Sequence, residues 1–298
     1  MEEFMGYYYL FWVCIFGLCL GSFYNVVILR SLSDESIIFP PSKCPKCQNK
    51  LKAWHNIPIL SYILLRGKCA YCKEKISIQY PIIEFITMCF FAFTYIKFGL
   101  TWQALLGIIL SSCLLIMTAT DIKEQLVDCN IAIGLSIIGL VYNWLVNGTL
   151  VDSILGILSG ALIMELLARF GYLLAKKRAF GEADTYVAGA LGACFGVNGL
   201  LTVLAYSLIA SMFFILPMFL YKQYKLNNKF TCITFILFTL SLLVFKLYFQ
   251  NFIMLSLVGV IGLTLCYSIL KGIKEETTST YLPLVPAFTL GALYYFFF

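Results

Sequence analysis

"KKRAFGEADTY" (Lys176–Tyr186) sits between two long apolar runs. Three basic residues, two carboxylates and a glycine fall within its eleven positions. The flanking residues suit hydrocarbon, so the stretch reads as a short connection at a membrane surface. Asp184 then stands at the start of a hydrophobic helix, a costly place for an ionisable group unless it caps the helix or carries chemistry.

The rest of the chain has the same character. Its 298 residues are 61% hydrophobic and 12% charged, with mean hydropathy +0.90. Soluble domains carry about 25% charged residues. The composition predicts an all-α polytopic membrane protein and excludes a soluble enzyme. The opening "MEEFMGYYYLFWVCIFGLCLG" has acidic residues where a secretory signal is basic, so it reads as a retained first span.

A span needs about 20 apolar residues. Spans are expected near 6–29, 82–98, 102–120, 130–147, 150–174, 185–196, 199–221, 230–249, 251–270 and 281–298. The sixth is short and reads as a broken or partly buried helix. The largest polar segment, Arg30 to Tyr80, carries Arg30, Lys43, Lys46, Lys50, Lys52, Arg66, Lys68, Lys73 and Lys75 against Asp34, Glu35 and Glu74. That surplus marks it as cytoplasmic and suits anionic lipid headgroups. Nucleic acid is not the expected partner. Alternating sides from there puts "DIKEQLVDCN", "AKKRAFGEAD", "YKQYKLNNK" and "KGIKEETTS" in the cytoplasm. The nearly uncharged "FGLTW", "NGTL", "GVN" and "QN" fall outside, as do both termini. The expected organisation is a first span (1–29), a cytoplasmic cysteine domain (30–81), a membrane core (82–221) and C-terminal helices (222–298) with an added pair at about 230–270.

This topology brings Asp121, at the end of the third span, and Asp184 to the same membrane face. At a helix N-terminus Asp184 has a structural use as a cap. Asp121 lies at a helix C-terminus, where the dipole disfavours an acid, and no local cap explains it. Two carboxylates meeting in a low dielectric share a proton. Such a pair activates water with one member and protonates the leaving amine with the other, which is metal-free peptide hydrolysis. Gly181 offers a tight turn just before Asp184, and Glu182 reads as a solvated loop charge.

"CPKC" (Cys44, Cys47) and "CAYC" (Cys69, Cys72) flank 21 residues. Paired C-x2-C knuckles suit a tetrahedral four-thiolate zinc site, structural because no ligand position stays open. Free thiols or redox switching are the other reading. His55, the only histidine, reads as a hydrogen-bonded surface residue.

Together these stretches resemble the type IV prepilin peptidases, the bifunctional leader peptidase/N-methyltransferases of bacterial pilus, competence and type II secretion systems. "GSFYNVVILR" (Gly21–Arg30) is similar to the family's first-span ending. Cys44 to Glu84, with Trp54, Asn56, Pro58, Gly67, Tyr80 and Pro81 in step, is similar to its cysteine domain. The resemblance implies an aspartyl dyad of Asp121 in "DIKEQLVD" and Asp184 in "GEAD", with Gly181 opening the second motif and "ALGA" following it. Ala183 stands where the family has a second glycine, Tyr186 where lysine is common, and Asp128 one position early. Further implied are prepilins or pseudopilins as substrates, an inner-membrane setting, and S-adenosylmethionine for N-methylation, with Glu84 and the cysteine loop tied to that activity. Met88 departs from the family there. Presenilin-like and preflagellin peptidases are alternatives that generally lack the zinc loop. A transporter or assembly scaffold would place its acids near mid-membrane within inverted repeats.

Overall fold

A computed structural model describes residues 2–33, 36, 38–39, 41–175, 181–225 and 284–298, with 230, 233–238, 240–241, 260–261, 264 and 267 between the last two blocks. The helices are α1 (Glu2–Ser31), α2 (Leu60–Leu64), α3 (Gln79–Phe98), α4 (Trp102–Glu124), α5 (Cys129–Tyr142), α6 (Leu150–Ala175), α7 (Glu182–Lys225) and α8 (Val285–Phe297). Among the described residues, six helices are long and apolar enough to cross a membrane: Met5–Ser31, Gln79–Phe98, Trp102–Glu124, Cys129–Asn147, Leu150–Leu173 and Glu182–Ser211. They cover the first seven expected spans, the sixth and seventh both falling on α7. The stretch expected as a tenth span holds the shorter helix Val285–Phe297. The expected pair at 230–270 lies largely outside the described residues.

Local chemistry sets the helix ends. Gly99, at φ 61°, stops α3. The Thr101 hydroxyl caps α4 by accepting the Ala104 N–H at 3.2 Å. Asp128 has a defined job. Its Oδ1 accepts the Asn130 N–H at 2.9 Å and caps α5.

Gly196 (φ 68°, ψ −174°) interrupts α7, which separates the two stretches read as distinct spans. A side chain at Gly196 would strike the Asp152 carboxylate, whose Oδ1 accepts the Val197 N–H at 3.3 Å. The first half of α7 is the centre of the core, with Val187, Ala188, Ala190, Leu191 and Ala193 fully buried. It reaches that depth because its residues are small. Gly156 and Gly160 of α6 lie directly against the backbone of Gly192 and Ala188, leaving no room for a Cβ at either α6 glycine. This small-residue seam lets two helices in lipid approach backbone to backbone.

After Gly196 the chain follows α8, meeting Tyr295 at Gly199 and Gly291 at Val203 and Ser207. α8 is fastened at both ends to the first half of the chain. Asp121 of α4 binds its N-terminus, and the Lys97 ammonium of α3 donates to the Phe297 carbonyl. Both contacts complement the helix dipole.

Candidate active site and metal centre

Asp121 occupies the last turn of α4, where the N-terminus of α8 meets it. It is 6% exposed. Its Oδ2 accepts the Val285 N–H at 3.1 Å, across 164 residues of sequence. The acid that has no cap to make on its own helix therefore caps another.

Asp184 lies in the first turn of α7 and is 9% exposed. Its Oδ2 accepts the Gly181 N–H at 3.0 Å. This is the reach-back half of a capping box, in which a third-position side chain satisfies the N-cap amide. Asp184 lies within electrostatic range of Asp121. Glu182 is exposed in the same turn. Space does not require glycine at 181, because an added Cβ would meet Asp184 Oδ2 at 3.6 Å, an ordinary contact. Ala183 sits in regular helix, where alanine is the most favourable residue.

The cysteine lobe is built as two copies of one turn. Lys43 bridges Lys50, and Lys68 bridges Lys75. The Gln48 N–H returns to Cys44 O at 2.9 Å, and the Lys73 N–H to Cys69 O at 3.1 Å. Gln48 and Lys73 both take left-handed φ, 57° and 60°. The sequence carries this as a repeat: K-C-x-x-C-[QK]-x-K recurs from Lys43 and from Lys68.

The two turns aim four sulfurs at one point, all within 4.8 Å of one another. Cys44 and Cys72 are 3.9 Å apart. Tetrahedral Zn–S bonds of about 2.3 Å would put the sulfurs about 3.8 Å apart, so the four cysteines could hold a metal ion. Backbone N–H groups of Cys72 and Tyr71 outweigh burial and bring the Cys69 thiol down to about 7, while, against the Glu74 backbone N–H, burial and the neighbouring thiols push Cys72 up to about 11. His55 stands outside this group. Its Nδ1 accepts the Lys52 N–H at 3.4 Å, and its ring packs edge-on to Trp54 and Tyr71.

Glu84 is buried near the start of α3. Its Oε2 accepts the Ile59 N–H at 2.7 Å. Beside it, Asn25 donates to Tyr80 O at 3.1 Å and to Gly21 O at 3.2 Å. These bonds join the cysteine lobe, α1 and α3. In the sequence Asn25 stands only as part of "GSFYNVVILR". A lone amide in an apolar first span was the available signal.

The arrangement is that of a membrane protein with two buried carboxylates at helix ends and a four-cysteine lobe. Residues 15–98 match the Bacterial Peptidase A24 N-terminal domain, and residues 108–216 match the Type IV leader peptidase family. The second match includes both aspartates, and the first includes the four cysteines and Glu84. The Prepilin leader peptidase/N-methyltransferase of Neisseria gonorrhoeae is 37% identical over 213 residues, covering 62% of this chain and 74% of that protein. Proteins of the same name from Myxococcus xanthus and Pectobacterium carotovorum subsp. carotovorum are 31% identical over 194 residues and 34% over 214. Those matches cover 65% of this chain and 58% of the Myxococcus protein, and 62% of this chain and 75% of the Pectobacterium protein. No solved structure matches. The chain belongs to the Type IV leader peptidase family.

Proposed function

We propose that this chain is a membrane-embedded aspartyl endopeptidase that removes the leader of type IV prepilins or pseudopilins and then N-methylates the new terminus. The observation that carries the reading is the pair Asp121 and Asp184. They are 63 positions apart in sequence, both buried, and near enough for one charge to act on the other. Family membership supplies the substrate class.

Asp121 and Asp184 would share one proton and hold the attacking water between them. The ionised carboxylate takes a proton from water as it adds to the scissile carbonyl, and the protonated one donates to the leaving amine. A peptide bond inside a helix is shielded by its own hydrogen bonds, so the substrate must unwind locally before attack. Acid and base are not fixed to either residue, because the proton belongs to the pair.

The loop surplus of Lys and Arg supports a cytoplasmic active face in the bacterial inner membrane, with the lobe (30–81) beside a membrane core (82–221) and up to ten spans in all. Cys44, Cys47, Cys69 and Cys72 would hold a structural zinc, since four thiolates leave no position for substrate. The metal would supply folding energy to a lobe too small for a large core. The methyl donor implied by the family resemblance is S-adenosylmethionine. The surroundings of Glu84 do not fit a donor seat, because its carboxylate is buried and bonded to the Ile59 N–H. Its role is to fasten the lobe to the core.

The test is co-expression of a prepilin with the wild-type chain or Asp184→Asn, followed by the mass of the product. Loss of the leader with wild type alone supports the dyad, and the added mass of one methylene on the new terminus supports the transfer. Equal cleavage by both overturns the mechanism.

A further inference from the structure

We infer that α2 of the cysteine lobe lies in the headgroup–acyl boundary of the adjoining leaflet and anchors the lobe on an anionic lipid surface. The inference rests on Gln79–Phe98 crossing the membrane and not on the peptidase chemistry.

Depth is the first argument. Glu84 is five residues beyond Gln79, where α3 starts, roughly 7 Å along the axis at 1.5 Å per residue. Its carboxylate holds the Ile59 N–H at 2.7 Å, and α2 begins at the next residue, Leu60. Even with the Glu84 side chain leaning back toward the helix start, α2 sets out level with the first turns of a spanning helix. It cannot stand clear of the bilayer.

The backbone is bent to put it there. Ile59 has φ 60° and ψ −49°, a strained setting for a β-branched residue. The Leu60 N–H closes a γ-turn onto Pro58 O at 2.5 Å, the rarer hand of that turn. Strain of this kind persists where neighbours over-determine it, and here the neighbour is Glu84.

Chemistry is the second argument. Leu60, Ile63 and Leu64 are 58%, 63% and 79% exposed and share one helix face by their spacing. Tyr62 points the other way, its hydroxyl donating to Ile76 O at 3.5 Å. Ile78, just ahead of α3, is exposed as well. Three bare aliphatic side chains on one short helix are a poor surface for water and a good one for acyl chains. Around them Arg30–Tyr80 carries nine basic residues against three acidic ones, which complements anionic headgroups. Lys52 lies over the Trp54 ring at 5.0 Å, an aromatic–basic pair of the kind found at membrane interfaces.

The test uses the full chain in nanodiscs of phosphatidylcholine, with and without phosphatidylglycerol. Trp12, Trp54, Trp102 and Trp144 become Phe, and Leu64→Trp supplies the only indole. We expect blue-shifted emission, severalfold stronger quenching by lipids brominated near the headgroup than near the chain end, and a further gain with phosphatidylglycerol. Should the variant not fold, the wild-type chain gives a second readout. A phosphatidylglycerol photoprobe reactive beside its headgroup should label residues 57–65, and the labelling should survive addition of prepilin. Water-like emission without quenching, or no photolabelling of 57–65, overturns the anchor. Protection that appears only with prepilin also overturns it and assigns the face to substrate. Leader cleavage followed in the same nanodiscs separates these outcomes from a failure of the proposed function.

Discussion

Asp121 combines a structural contact with a proposed chemical role, and two substitutions separate them. Asparagine keeps an amide oxygen that can accept the Val285 N–H, now held at 3.1 Å, but it cannot take a proton from water. Alanine removes both. Losing the carboxylate charge at the N-terminus of α8 costs about 0.3–1 kcal/mol, partly offset because a buried carboxylate no longer needs desolvation. Asp121→Asn should therefore be nearly as stable as wild type. Asp121→Ala leaves the Val285 amide without a partner in a buried setting, at a cost of about 1–3 kcal/mol. A positioned acid or base contributes about 10²–10⁴ to rate, so both variants should lose at least a hundredfold in leader cleavage. The assay is single-turnover cleavage of a prepilin followed by mass, beside thermal unfolding under the same conditions. An asparagine variant that cleaves within tenfold of wild type refutes the dyad. An alanine variant that unfolds at the wild-type temperature refutes the cap.

Two further outcomes follow from the packing. The purified chain should carry zinc at one ion per lobe. Chelation or Cys69→Ser should open residues 41–80 to limited proteolysis while the helical core keeps its transition, and a stripped lobe that still resists protease would show that the sulfurs do not hold it together. Gly192→Ala puts a methyl group into the Gly156 backbone and should cost about 1–3 kcal/mol or more. Gly181→Ala meets only an ordinary contact at 3.6 Å and should stay within about 0.5 kcal/mol. Chemical unfolding in matched detergent distinguishes them, and equal stabilities would mean that the α6–α7 seam is looser than described.

Much of this was legible in the sequence because the signals were local. Continuous apolar runs marked α1, α3, α4, α5 and α6, and spacing alone paired the C-x2-C knuckles. The break at Gly196 showed as a short apolar run followed by "GVN". What escaped was long-range or had no compositional trace. Capping rules examine an acid against its own helix, so Asp121 seemed to lack a structural partner while Val285 waited 164 residues away. The bond from Glu84 to Ile59 was hidden for the same reason, since it joins a loop to a span. Left-handed φ at Gln48, Ile59 and Lys73 gave no warning, because glycine is the usual marker and none is present. The repeated knuckle pattern would have exposed two of those three. The Gly156–Gly160 spacing was visible too, but its meaning depended on knowing that Gly192 lies opposite.

The fastening of α8 has a consequence for biosynthesis. Its two clasps, Asp121 with Val285 and Lys97 with Phe297, join residues separated by 164 and 200 positions. At elongation rates of about 5–20 residues per second, Asp121 emerges from the ribosome roughly 8–30 s before its partner. During that interval the nascent chain holds a carboxylate at the membrane edge with no helix end to receive it. The buried setting of Asp121 is therefore completed late, only once Val285 has been made and inserted.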